Sequence, residues 1–174
     1  MIISVNDVKK FVDVKGWSDE KVERKLKAIE QTIRKYTNNE FKEFECRTAA
    51  AIVGSRFVCD AVVPFKVGDT VQISQSKFNN GLYVITSAND SYITVEEAVT
   101  DEEWVLVTLV HYPEDVVDCA LNLLEWDINN RQKVGIKSET LSRHSVTYED
   151  SASMFNGYPK GILNSVTLYK KARC

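Results

Sequence analysis

Five carboxylates crowd into one short stretch of this chain, Glu96-Glu97 and Asp101-Glu102-Glu103. Paired acids are what glycosidic or metal-assisted hydrolysis uses, one carboxyl serving as acid and another as base, nucleophile or ligand. Here they lie around a strand end and a turn, where a solvated acidic loop is the simpler reading. His111 and His144 stand 33 positions apart in different segments, and neither has a serine or cysteine in a nucleophile setting. His111, just before Tyr112-Pro113, reads as a hinge residue packing between modules. His144, between Arg143 and Ser145, reads as a surface or strand-pairing residue. Cys46, Cys59, Cys119 and Cys174 lack the close pairing of zinc or thioredoxin-like motifs. A Cys46–Cys59 disulfide is open in principle, but reduced, buried thiols suit a cytosolic chain better. The seven glycines form neither a phosphate loop nor a dinucleotide pattern. The residues therefore predict no catalytic centre, no cofactor and no metal.

Binding chemistry has two candidates. Phe78, Tyr83 and Tyr92 would suit a stacking platform for single-stranded nucleic acid, yet they fall in the acidic part of the chain. Residues 46–112 hold 4 basic and 8 acidic side chains, whereas 1–45 hold 10 and 9, and 113–174 hold 8 and 8. Core or barrel-rim packing explains these aromatics more simply. The second candidate is the end of the chain. Residues 158–174 carry four basic side chains and no acid, a cationic segment suited to an acidic partner surface.

The elements that must position these groups change character twice. Ser4 caps a short helix through Val5, Val8, Phe11 and Val12, ended by Gly16. Ser18 caps a longer one in which Val22, Leu26, Ile29, Ile33 and Tyr36 make one apolar stripe at helical spacing. The remainder of that helix, including Lys25 and Glu30, is charged and expected to face water; Asn38-Asn39 stops it. From about residue 44 the period shortens. Val71 and Ile73, the Asn79-Asn80-Gly81 turn, Leu82–Thr86, the Asn89-Asp90 turn, Tyr92–Glu96, a polar turn at 101–103 and the apolar run Trp104–Val110 describe about five short strands. Helix returns after Pro113, with Val116, Ala120, Leu123, Leu124, Asp127 and Ile128 in repeat and Val117, Leu121 and Trp126 widening the face. Its end is expected near Gly135. Two short strands about a polar tip follow within 135–149, then a loop at 150–153 and a last short helix opened by Pro159.

The expected fold class is α+β: a small helical bundle of three to four helices plus a β-hairpin, residues 1–43 and 111–174, interrupted by an antiparallel barrel or sandwich at 44–110. At 174 residues and net charge −3 the chain is long enough to bury roughly 70% of its unfolded surface and lacks the basic excess of a non-specific nucleic-acid binder. No apolar run approaches the roughly 20 residues of a membrane span. The first residues, Met1 to Asp7, lack the basic-then-apolar pattern of a signal segment, so a soluble, cytosolic type of protein is expected.

The outer segments resemble a family. A short capped helix, a long charged amphipathic helix at 17–37, then Pro113-Glu-Asp-Val-Val117 opening an apolar helix follow the order of tailed-phage head–tail connector proteins. So do Gly135-Ile-Lys-Ser-Glu-Thr-Leu141, Ser145-Val-Thr-Tyr148, Tyr158-Pro-Lys-Gly-Ile-Leu163 and a basic end. The likeness covers 1–40 and 113–174; the strands between depart from it and look like an inserted domain. The resemblance implies a structural virion protein of the phage neck, present in the host cytoplasm during assembly. It implies about twelve copies in a ring, bound to a portal protein and a tail-side or stopper protein, with DNA passing through unbound. By position it makes Lys170, Lys171 and Arg173 docking candidates for the portal, and Ser138, Glu139 and Arg143, in the hairpin, candidates for the channel. A tail terminator or other neck protein, a nucleic-acid-binding module built on the strands, and a small hydrolase using 96–103 are the competing readings.

Overall fold

A computed structural model of the chain describes residues 1–61, 64–130, 138–141, 144–147 and 153–172, the strands at 138–141 and 144–147 by their backbone alone. The class is α+β. The chain divides into two compact units, one of Met1 and Glu40–Tyr112, the other of Ile2–Asn39 and Pro113–Cys174. The change of period near 44 and 111 thus has a counterpart in the contacts, which divide at Asn39/Glu40 and Tyr112/Pro113.

In the second unit, α1 (Val5–Phe11) begins at Ser4, whose hydroxyl accepts from the Asp7 N–H at 3.1 Å. It ends sooner than the Gly16 signal predicts. Val12 turns extended (φ −124°), which buries its own side chain and leaves Phe11 exposed. Gly16 serves the next turn, with φ +74° beside Lys15 at +47°, and a side chain at Gly16 would be strained by that backbone. α2 (Asp19–Thr37) starts on Ser18 and ends on Asn38 in the left-handed conformation, φ 49°. Val22, Leu26, Ile29 and Ile33 are fully buried, the stripe its spacing predicts. Two residues of its charged side are not wet. Glu30 is only 3% exposed, and Lys25 reaches inward to Asp127 at 2.9 Å. Sequence periodicity assigns a face by polarity, and these two side chains lie near enough to the stripe to be covered.

α3 (Glu114–Asn130) buries Val116, Cys119, Ala120, Leu121, Leu123, Leu124 and Asp127. Its expected end near Gly135 and most of the 150–153 loop lie outside the described residues. β7 (Ser138–Leu141) and β8 (His144–Thr147) pair antiparallel, Ser138 opposite Thr147 and Leu141 opposite His144. β9 (Met154–Phe155) and β10 (Tyr158–Pro159) form a further two-stranded pair, too short to leave a sequence pattern. The last helix is a single α turn, α4 (Lys160–Leu163), continued as a 3-10 helix Asn164–Tyr169.

The first unit is a closed antiparallel barrel of six strands: β1 (Lys42–Val53), β2 (Arg56–Cys59), β3 (Thr70–Ser74), β4 (Gly81–Ala88), β5 (Tyr92–Val95) and β6 (Glu102–Val110), in the order β1-β2-β5-β4-β3-β6. Closure, rather than two stacked sheets, is possible because β1 is long and bent. It shifts register between Glu43 and Arg47 and again between Ala50 and Ile52, and pairs with both β2 and β6. Every strand then has two neighbours and no edge is left open. Alternate residues fill the interior: Ala50, Ile52, Phe57, Val71, Ile73, Ile85, Ile93, Val105 and Val107. The predicted turn at 101–103 is corrected: Glu102 and Glu103 belong to β6, because the strand opens on acidic residues whose partners lie across the barrel mouth. Val67, which alternates with Val71 and Ile73 across a Gly68-Asp69 turn in the sequence, sits in an exposed turn outside β3.

Candidate functional site

The C-terminal segment is held by α2. Its left-handed last residue directs backbone and side-chain groups outward, and the end of the chain uses them. The Thr37 carbonyl accepts the Lys171 N–H at 2.8 Å. Asn38 Nδ2 donates to the Ala172 carbonyl at 3.0 Å, and Asn39 Nδ2 to that of Tyr169 at 3.2 Å. Tyr169 Oη meets both oxygens of Asp115, at 2.8 and 2.9 Å, and that bond to a carboxylate raises the phenol above its usual range. The Lys170 ammonium stands 3.8 Å from the centre of the Tyr36 ring, which also packs edge-on against Phe155. The two described docking candidates differ accordingly. Lys170 is engaged within its own chain, while Lys171 has a fixed backbone and an exposed side chain. Beside them Leu168, on the 3-10 helix, is 92% exposed.

Of the remaining candidates, Ser138 and Glu139 lie on β7, opposite Thr147 and Val146. Arg143 and Arg173 lie outside the described residues. The residues that hold the C-terminal segment, Asn38, Asn39 and Asp115, were legible in sequence only as a helix stop and a helix start.

The acidic stretch has a second role. Glu102 accepts from the Ser76 hydroxyl, from the Lys77 N–H at 2.7 Å and from Asn79 Nδ2 at 2.8 Å. The Ser76 bond leads the effects that hold its carboxyl below the ordinary glutamate value; burial opposes it, and the Asn79, Lys77 and Phe78 donors add to it. Asn79 is itself paired with the Thr100 backbone, Nδ2 donating to the carbonyl and Oδ1 accepting from the N–H, each at 2.9 Å. Asp101 accepts from the Gly54 N–H at 2.9 Å. The β1–β2, β3–β4 and β5–β6 connections are thereby tied together at one barrel end, and these acids act as loop holders. Phe78 rides on the tied loop with 70% of its surface exposed.

The aromatic platform is not assembled. Tyr83 packs toward the barrel interior, Tyr92 lies under the Arg56 guanidinium at 4.9 Å, and Phe78 stands apart on its loop. His111 is exposed and uses its backbone N–H on the Phe41 carbonyl at 3.0 Å, so it is not the packing residue its position suggests. Cys46, Cys59 and Cys119 are free thiols. Burial, followed by the nearby Asp60 charge, pushes Cys59 up, and burial chiefly does the same for Cys119. Among the described residues no His, Cys, Asp or Glu cluster is disposed to hold a metal ion, and no helix is long and apolar enough to cross a membrane. Compared with known families and curated proteins, the chain matches no family model and no curated protein.

Proposed function

We propose that this chain is a head–tail connector subunit of a tailed phage or prophage, an adaptor or head-completion protein that forms a ring beneath a portal. In this reading the helical unit is the connector bundle and the barrel is its inserted domain. The observation that carries the proposal is the common core of α2 and α3. Although the barrel separates them in sequence, both belong to one compact unit, joined by the pair of half-buried Lys25 with buried Asp127 and closed by the C-terminal segment. That is the arrangement the family resemblance requires of the two ends of the chain. The hairpin of β7 and β8 lies between α3 and the closing segment, in the order the resemblance describes.

The mechanism is passage without grip. About twelve copies at −3 each give a ring of about −36, a field that repels the phosphate backbone and lets DNA slide. Lys170, Lys171 and Arg173 would dock on the portal, and Ser138, Glu139 and Arg143 would line or approach the channel. Electron microscopy of the chain mixed with its cognate portal tests this directly: an added ring of density is the expected result, and a bare portal at saturating chain would overturn it. A portal and a major capsid gene next to the coding sequence are the corresponding genomic expectation.

A further inference from the structure

Two surfaces of this chain are apolar, opposite in charge and already held in shape. The first is the tied end of the barrel. Phe78 and Trp104 are 70% and 49% exposed there, and the five acids of residues 96–103 outnumber the bases of the loops tied to them, Arg56 and Lys77. The second is the C-terminal segment, where Leu168 is the most exposed large apolar side chain among the described residues and the described residues from 158 on carry Lys160, Lys170 and Lys171 and no acid. Neither needs to be ordered on contact. Glu102 and Asn79 fix the first, and Thr37, Asn38 and Asn39 fix the second. Exposed aromatic anchors on pre-organised loops are the residue type and setting in which binding energy concentrates.

We propose that the barrel end of one copy receives the C-terminal segment of a second copy, Phe78 and Trp104 meeting Leu168 while Glu96 and Glu97 face Lys171. The proposal rests on the connector reading only for the expectation that copies of this chain join one another, and it gives Lys171 to the neighbouring copy, leaving portal docking to the other cations of that segment. Charge complementarity selects the occupant: like surfaces, barrel end on barrel end or tail on tail, would set charge of one sign against itself. Because the two surfaces differ, the contact is head-to-tail, which generates a ring when the rotation closes.

Sedimentation velocity of the full chain over a concentration series tests this, with three proteins: wild type, Lys170→Glu with Lys171→Glu, and Glu96→Lys with Glu97→Lys. Wild type should associate as concentration rises, and less so at high salt. Each reversed variant alone should stay monomeric at the same concentrations. An equimolar mixture of the two should associate again, since every head-to-tail contact between unlike copies pairs opposite charges. Phe78→Ser, at an exposed position, should weaken association at least about 30-fold while leaving the melting temperature unchanged. A wild type that stays monomeric throughout, or reversed variants that associate as well as wild type, would overturn the proposal. Rings formed on the portal equally by wild type and by Glu96→Lys with Glu97→Lys, whose positions have no part in portal docking, would sink this contact and leave the connector reading standing. Rescue by mixing, without any ring on the portal, would do the reverse.

Discussion

Glu102 shows how a single side chain changes meaning between sequence and structure. As one of five neighbouring acids it suggests acid–base chemistry; in place, its oxygens are occupied by Ser76, Lys77 and Asn79. Its carboxyl titrates lower in the folded chain than in the unfolded one, so its stabilisation is complete above the ordinary glutamate value and fades as pH falls through the lowered one. Amide exchange at Lys77, Phe78 and Asn79 should therefore stay slow near neutrality and accelerate, relative to the rest of the barrel, only in the acid range. Glu102→Gln should show fast exchange at every pH; equal protection in both proteins would refute the assignment. The Lys25–Asp127 pair makes a second test at this scale, with the Asp127 side chain fully buried and Tyr158 Oη also 3.3 Å from it. Asp127→Ala removes the partner of a part-exposed ammonium and should cost about 1.5–3 kcal/mol in urea unfolding, whereas Lys25→Met with Asp127→Leu should cost much less.

At the scale of the element, α2 combines three duties that its sequence separates. Its cap, its stripe and its last residues act on different neighbours. Ser18→Ala removes one hydrogen bond to an exposed turn and should cost about 1 kcal/mol, while Leu26→Ala opens a fully buried site and should cost about 2–5 kcal/mol. A ratio near one between the two would mean that the stripe is not the packing face. The helix end does more than stop. Asn38 adopts the left-handed conformation that a glycine would also accept, but only asparagine also binds the Ala172 carbonyl. Asn38→Gly should accordingly leave α2 intact by circular dichroism and expose residues 170–174 to trypsin at Lys170 and Lys171.

At the scale of the whole molecule, the strand that opens the barrel and the one that closes it are neighbours. β1 and β6 are paired, with Lys42 opposite Val110 and Phe41 accepting from His111, so the chain leaves and returns at the same place. A closed barrel with its own core and no open edge should also fold by itself. Residues 40–112 expressed alone should give β-type circular dichroism and a cooperative thermal transition; a disordered product would show that the barrel depends on the helical unit.

Much of this was readable from local order in the chain. Ser4 and Ser18 as caps, the Val22-Leu26-Ile29-Ile33 stripe and the Asn79-Asn80-Gly81 turn are legible because propensity and periodicity act over a few residues, where sequence distance and spatial distance agree. The same rule fails where the deciding partner is remote. Lys25 reads as a surface residue because its partner Asp127 lies elsewhere in the chain, and Glu102 reads as a turn because Ser76 and Asn79 are not its sequence neighbours. Asn38 and Asn39 read as a stop because the segment they bind lies at the far end of the sequence. The amino-acid order by itself determined the long elements, their apolar stripes and the acidic and basic segments. Tertiary structure alone decided that the strands close into a barrel, which acids are committed to holding loops, and which cations remain exposed, because each of those outcomes depends on hydrogen bonds and burial between residues that only folding brings together.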